Sequence, residues 1–282
     1  MKKTINKIRL LKPTNSGSRG ASFVIRKELA KEKPVRSLTV KNSRSLGRDD
    51  LGHISVRHKG GGHQRKLRVV TTLDKHTQGD FEVIRVEYDP NRSAYIALIK
   101  DMSESLHYVL APKGVKTGDV LSSRDKADIS DGNRIKIGDI PTGINIHAIE
   151  ITPVSRAKMV RAAGTKATVM AHEGDYTLVK LPSGEIRKFH NNCLASIGTL
   201  SNEMNNMVKF GKAGRKRHMG IRPTVRGKAM NPNSHPHGGG EGNNPIGLKH
   251  PKTPWGKPAM GYKTNKKPNQ FIVKRRPKRR NK

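Results

Sequence analysis

The 282-residue chain is short of several things, and each shortage closes off a class of protein. It has one cysteine, Cys193, which excludes an internal disulfide framework and a zinc site built from several thiolates. Cys193 lies in an apolar stretch, Cys193-Leu194-Ala195-Ser196-Ile197, and reads as a small buried hydrophobe and not as a reactive thiol. Aromatic residues make up 4% of the chain and apolar residues 33%, a low apolar share for a soluble domain, so parts of the chain are expected to lie outside any globular core. The same shortage of aromatics argues against reading single strands by base stacking, which relies on Phe, Tyr and Trp platforms. No run approaches the ~20 apolar residues that span a bilayer. The opening MKKTINKIRLLKPTN has no apolar segment of the secretory kind. A cytoplasmic protein with no membrane partner is expected.

Acidic residues are the other scarcity. There are 22 Asp and Glu against 57 Lys and Arg, a formal charge of +35. Such a chain repels itself unless a polyanion neutralises it, and nucleic acid is the expected partner. The excess is uneven. Residues 1–60 carry a net +12 and residues 201–282 a net +19, whereas residues 61–126 and 127–200 carry +2 each. That distribution predicts a nearly neutral folded centre between two basic arms.

The centre has the patterning of short strands. Phe81–Tyr88 alternates near a period of two, Asp89-Pro90-Asn91-Arg92 marks a turn, and Ser93–Ile99 reads as the returning strand. Leu106–Leu110, Asp119–Ser122, Ile144–Ile149 and Tyr176–Leu181 follow, separated by turn sequences such as Asp131-Gly132-Asn133 and Pro182-Ser183-Gly184. About 140 residues is long for one five-stranded barrel, so an all-β pair of small barrels is expected, divided near residues 125–130. The C-terminal arm holds 9 of the 16 prolines and 11 of the 28 glycines with almost no apolar periodicity. It is expected to be extended and irregular, taking a fixed shape against a partner.

Three motifs carry the candidate chemistry. In Arg57-His58-Lys59-Gly60-Gly61-Gly62-His63-Gln64-Arg65-Lys66, glycines permit close backbone approach to phosphates and the cations neutralise them. No Gly-Lys-Ser/Thr closes the run, so it is not a Walker loop. Gly211–Gly227 repeats that physics with Lys212, Arg215, Lys216, Arg217, Arg222 and Arg226. In Asn231–Gly242, His235 and His237 stand two apart with Glu241 nearby, a set that could bind metal or act as an acid–base pair. The absence of a second ligand cluster, together with Gly238, Gly239 and Gly240, favours imidazole and backbone contacts to RNA. Lys274, Arg275 and Arg276 open a basic terminus, 271–280, of phosphate-binding character.

These residues also carry a resemblance. RHKGGGH from Arg57, EYDPNRSA from Glu87, LAPKG from Leu110, LPSGE from Leu181, GKAGR from Gly211, RPTVRGKAMN from Arg222, HPHGGGEG from His235 and TPWG from Thr253 resemble the universal ribosomal protein two family of the large subunit, bacterial type. The resemblance runs in unbroken order over about residues 10 to 276. It implies an OB-like barrel followed by an SH3-like barrel, with long irregular basic N- and C-terminal extensions entering large-subunit rRNA. It further implies a primary rRNA binder that supports subunit association and lies near the peptidyl transferase centre. The implied partners are large-subunit rRNA, neighbouring ribosomal proteins, and the small subunit through an intersubunit bridge. The histidine matching His235 has been proposed to assist peptide-bond formation; with RNA as the catalyst, His235 is carried over as a structural RNA contact. Ser234 stands where many bacterial members have Asp, which removes a local Asp–His pair, and His218 stands where Trp is common.

The expected division is therefore an N-terminal extension over 1–60, an OB-like RNA-binding barrel over 61–126, an SH3-like barrel over 127–200 and a C-terminal extension over 201–282. No catalytic residue, metal, cofactor or small-molecule substrate is expected.

Overall fold

The computed structural model describes residues 4–5, 7–43, 45–73, 78–124, 127–259 and 269–276. The expected barrel boundary at 126/127 falls partly on 125–126, outside the described residues, as does the end of the basic terminus beyond Arg276. The described residues form β-strands, three short 3₁₀ turns and one six-residue α-helix, so the all-β expectation holds. The chain divides into two compact units. The first comprises the described residues of Met1–Ser43, Gln64–Lys212 and Gln270–Lys282, and the second those of Arg44–His63 and Ala213–Asn269.

In the first unit, β1 (Thr4–Ile5), β2 (Ile8–Leu10) and β3 (Ser22–Val24) make a small antiparallel sheet, and β4 (Thr39–Lys41) pairs with β5 (Lys66–Arg68). The first barrel is built from β6 (Gly79–Glu87), β7 (Ile96–Lys100), β8 (Leu106–Leu110) and β9 (Val120–Ser123). Phe81 and Val83 point into its core by simple alternation. The register then shifts between Val83 and Arg85, and this bulge changes the phase so that Val86 is the next residue inward. Four consecutive β7 residues, Ile96 to Ile99, are buried because both faces are covered. Ala97 and Ile99 join the barrel core, while Ile96 and Leu98 pack with Tyr108 beneath Val35, Leu38 and Val70. Tyr108 also ties that covering segment down: its hydroxyl donates to Glu87 at 3.0 Å and accepts the Val35 N–H at 3.1 Å. Part of the N-terminal extension is thus docked on the barrel by apolar burial.

The second barrel follows with β10 (Arg134–Lys136), β11 (Asn145–His147), β12 (Ala167–Glu173), β13 (Tyr176–Lys180), β14 (Ile186–His190) and β15 (Leu194–Ile197). Ile135, Ile137, Ile140, Ile146, Val169, Val179, Phe189, Cys193 and Ile197 belong to its core. Burial holds the Cys193 thiol up at about 11, which keeps it protonated and matches its reading as a small hydrophobe. A parallel bridge between Ser123 and Arg134 joins the two barrels into one continuous sheet.

Arg134 is nearly fully buried and spans the join. Its Nε donates to the Leu73 carbonyl at 3.0 Å, its Nη1 to the Ala148 carbonyl at 2.8 Å, and its Nη2 to buried Glu150 at 3.1 Å. Glu150 also accepts the Leu194 N–H at 3.1 Å. A charge pair this deep survives only because its donors and acceptors are matched on several sides.

The turn after β6 and the C-terminal arm depart from the sequence reading. The returning strand begins at Ile96 and not at Ser93, because Asp89 accepts the Asn91 N–H at 2.9 Å and the Arg92 Nε–H at 2.6 Å and lengthens the turn. The C-terminal arm, expected to be extended throughout, contributes β16 (Ile272–Lys274), which pairs antiparallel with β14. An exposed strand edge offers unpaired N–H and C=O groups, and this segment takes them up.

Candidate nucleic-acid interface

The second unit is built without an apolar core. Among its described residues the one buried side chain is an imidazole, His235, at 8% relative exposure, while Leu51 at 83% and Trp255 at 72% lie open. Over the same sequence ranges there are sixteen Lys and Arg against three acidic residues, Asp49, Asp50 and Glu241.

Backbone packing supplies the shape that apolar burial does not. The first two basic motifs, more than 150 residues apart in sequence, lie side by side. Gly60 N–H donates to the Gly220 carbonyl at 3.0 Å, His63 N–H to the His218 carbonyl at 2.9 Å, and Arg222 N–H to the His58 carbonyl at 3.0 Å; Lys59 bridges Ile221. Such contact needs glycine. At Gly62, with φ +90°, a Cβ would lie 2.7 Å from the Gly220 nitrogen and 2.9 Å from its Cα, closer than any side chain tolerates. Gly61 sits between these contacts, also at positive φ.

The helix α1 (Ala213–His218) presents Arg215, Lys216 and Arg217 at successive positions, which fans them about its axis. It ends where Gly220, at φ +87°, lets its own N–H reach the Arg217 carbonyl at 3.0 Å and the Ile221 N–H reach the Lys216 carbonyl at 3.1 Å. Cations in the last turn complement the carbonyl end of the helix. The sequence reading had no helix here. His218, at the position where the family commonly carries Trp, meets His63 edge-to-face with ring centroids 4.6 Å apart. The Arg57 guanidinium lies 5.1 Å from the centroid of the Trp255 ring, a contact between segments too far apart in the chain for any local spacing to anticipate.

The third motif folds around its first histidine. Gly227 sits against the His235 ring so closely that a Cβ there would be 2.5 Å from it. His235 Nδ1 accepts the His237 N–H at 3.0 Å, and His237 Nε2 accepts the Lys252 N–H at 2.9 Å. Gly238 N–H donates to the His235 carbonyl at 2.8 Å, and Gly239 N–H to the Met230 carbonyl at 3.1 Å. Each ring therefore spends one nitrogen lone pair on a backbone N–H, which makes it a structural acceptor and a poor general base. Glu241 is exposed, and the ring nitrogens' hydrogen-bond partners are these backbone N–H groups. Among the described residues no three His, Cys, Asp or Glu side chains converge as metal ligands. Arg226 and Gly240 lie exposed on either side of this loop in sequence.

The remaining candidates lie in the first unit. Arg65 is half-buried and donates to the Pro90 carbonyl at 2.6 Å, and Asn91 Nδ2 donates to the Lys66 carbonyl at 2.7 Å, so these two residues also brace the Asp89–Arg92 turn. The Lys212 stem packs where a Cβ on Gly17 would meet it at 3.3 Å. Lys274 closes β16, and Arg275 and Arg276 follow it, exposed. Sequence reasoning missed Arg161, a half-buried guanidinium held below its ordinary value by burial and then by nearby Arg92. No basic run announces either residue.

A double β-barrel with a coreless, cation-rich companion unit has the make-up of a polyanion-binding protein. Residues 35–123 match the family described as Ribosomal Proteins L2, RNA binding N-terminal domain, and residues 130–256 match Ribosomal Proteins L2, C-terminal domain. Between them these matches take in most of the chain, and the chain belongs to the ribosomal protein L2 family of the large subunit.

Proposed function

We propose that the protein is a structural constituent of the large subunit that acts as a primary binder of large-subunit rRNA, supports subunit association and shapes the surroundings of the peptidyl transferase centre. The observation that carries this reading is the second unit: sixteen Lys and Arg over its sequence ranges and, among its described residues, glycine-packed backbone and no buried apolar side chain. A surface of that composition has its charge balanced only against a polyanion. The contacts assigned to rRNA are Arg57 to His63, Arg65, Lys66, Lys212, Arg215 to Arg217, Arg222, Arg226, His235, His237, Gly238 to Gly240 and Lys274 to Arg276. Within this set the glycines, His235 and His237 set the backbone shape, and the Lys and Arg neutralise phosphates.

On this reading the protein is not an enzyme, works in the cytoplasm, and meets neighbouring ribosomal proteins and, through an intersubunit bridge, the small subunit. The fourfold division at 60/61, 126/127 and 200/201 belongs to the same proposal. Sucrose-gradient sedimentation of lysate tests it: comigration with the large subunit through a high-salt wash is expected, and sedimentation with DNA or free at the top would overturn it.

A further inference from the structure

Within the first unit, a cavity of about 520 Å³ opens between residues 24–29, the first barrel and residues 201–204. Its lining includes Leu29, Val86, Tyr95 and Val115, which belong to or pack against the first barrel's core. The volume falls within the ~300–1,000 Å³ of sites that accept small-molecule-sized groups.

Charge surrounds this apolar lining. Lys7 pairs with Glu28 at 2.9 Å and Lys113 with Glu203 at 2.8 Å, so those four lining residues balance one another. Arg26 and Lys116 remain, and neither is within ion-pair distance of a carboxylate among the described residues. Arg26 lies 3.8 Å from the centroid of the Tyr88 ring and beside the Tyr95 hydroxyl. Burial raises Tyr95 above its ordinary value, so its phenol stays neutral and can both donate and accept hydrogen bonds.

An apolar side chain from another protein would fill the cavity and leave both cations unmatched. A lone phosphate would match the cations and leave the tyrosine and aliphatic lining open. An unpaired nucleotide meets both demands, because splayed-out bases stack on tyrosine rings and guanidinium planes while their phosphates take cations. We propose that this cavity receives one unpaired nucleotide of the rRNA, with its base against Tyr95 and its phosphate at Arg26 and Lys116. The inference rests on the rRNA-binding reading and adds base stacking to it. A chain with five tyrosines places two of them, Tyr88 and Tyr95, around one arginine.

The test uses full-length protein bound to large-subunit rRNA, with ultraviolet crosslinking and mapping of nucleotide adducts by mass spectrometry. Adducts are expected on the peptide carrying Tyr95 or that carrying Lys113–Thr117. Val115→Trp, which fills the cavity and so excludes the base together with its phosphate, should weaken rRNA binding about tenfold and lower the slope of log affinity against log salt by about one. Should that variant misfold, Arg26→Gln serves instead, with weaker binding and a salt slope lowered by about one. Adducts confined to residues 57–66 and 212–240, or unchanged affinity in a folded Val115→Trp or Arg26→Gln protein, overturn the cavity assignment and leave rRNA binding intact. A protein–protein crosslink into these peptides in intact subunits gives the cavity to a neighbouring protein and overturns it as well. Failure of the unmodified chain to bind rRNA at low salt removes the underlying reading itself.

Discussion

The two units solve the problem of holding a shape in opposite ways. The first closes two clusters of Ile, Val, Leu and Phe side chains, and its few buried charges, Arg134, Glu150, Glu87 and Asp89, have partners. The second buries one imidazole among its described residues and packs glycine backbone against glycine backbone. Apolar burial contributes about 25 cal/mol per Å² with no outside help, so the first unit's order is intrinsic. Backbone hydrogen bonds add little net stability in water, so on the proposed reading the second unit takes its order from a polyanion that neutralises its cations. Intrinsic stability thus rests with the first unit, whereas the proposed rRNA contacts draw on both.

The largest expected effect separates the units by salt. With ~10 phosphates neutralised, rRNA affinity should fall by about 10³ to 10⁵ between 50 and 200 mM salt. Arg215→Gln, Lys216→Gln and Arg222→Gln should each lower the slope of log affinity against log salt by about one. Filter binding across a salt series measures this, and slopes that ignore these substitutions would move the interface elsewhere.

Next in size is the buried ion pair of the first unit. Glu150→Ala strands the Arg134 guanidinium without its carboxylate and should cost about 3–5 kcal/mol in urea unfolding. The salt slope for rRNA should stay as it was. A loss of RNA affinity without loss of stability would erase the contrast between the units.

His147 gives a pH-dependent prediction. Its Nδ1–H donates to the Gly198 carbonyl at 3.2 Å, and burial, aided by nearby Arg134, lowers it to about 4 from an ordinary 6.5. Between those values the unfolded chain binds the proton and the folded chain does not, so stability is lost as pH falls through that window. Acidification from pH 7 to about 4 should remove about 3 kcal/mol through this group. His147→Asn, which keeps a donor near the carbonyl, should flatten that part of the profile in thermal or urea unfolding. An unaltered profile would exclude His147 as its source.

The smallest effect tests the imidazole at the centre of the second unit. Gly227→Ala drives a Cβ into the His235 ring and should displace the loop over residues 226–252, weakening rRNA binding by about 1–3 kcal/mol. Unfolding of the first unit should not change. Limited proteolysis without RNA provides a direct view, with the barrels resistant and residues 226–252 cut faster in the variant. Equal cutting and equal affinity would mean that His235 does not organise the loop.

How much of this was legible in the sequence depends on the range of the interaction. Alternation at Phe81 and Val83, the Asp89–Arg92 turn and the apolar run at Leu106–Leu110 placed the first barrel's strands, because a period of two is written locally. Net charge and its asymmetry indicated a polyanionic partner, since composition alone sets the long-range field. The short strand Arg134–Lys136 was missed because its antiparallel partner, Leu194–Ser196, lies far away in the chain, and Ile186–His190, although it closes a hairpin with Tyr176–Lys180, because Ile-Arg-Lys-Phe-His shows no alternation. Arg134 reads as one more cation in a basic protein, and only the fold shows it buried against Glu150.

The sequence by itself determined the all-β class, the neutral centre between basic ends, and the glycine-and-arginine chemistry suited to RNA. The tertiary structure alone decided that residues 57–63 and 218–222 form one surface, that His235 is a buried acceptor, and that Tyr95 and Arg26 line a cavity. Composition and periodicity depend on near neighbours and total charge, which a linear string records. Convergence, burial and hydrogen-bond partnership between distant segments depend on long-range packing, which a single string leaves unwritten.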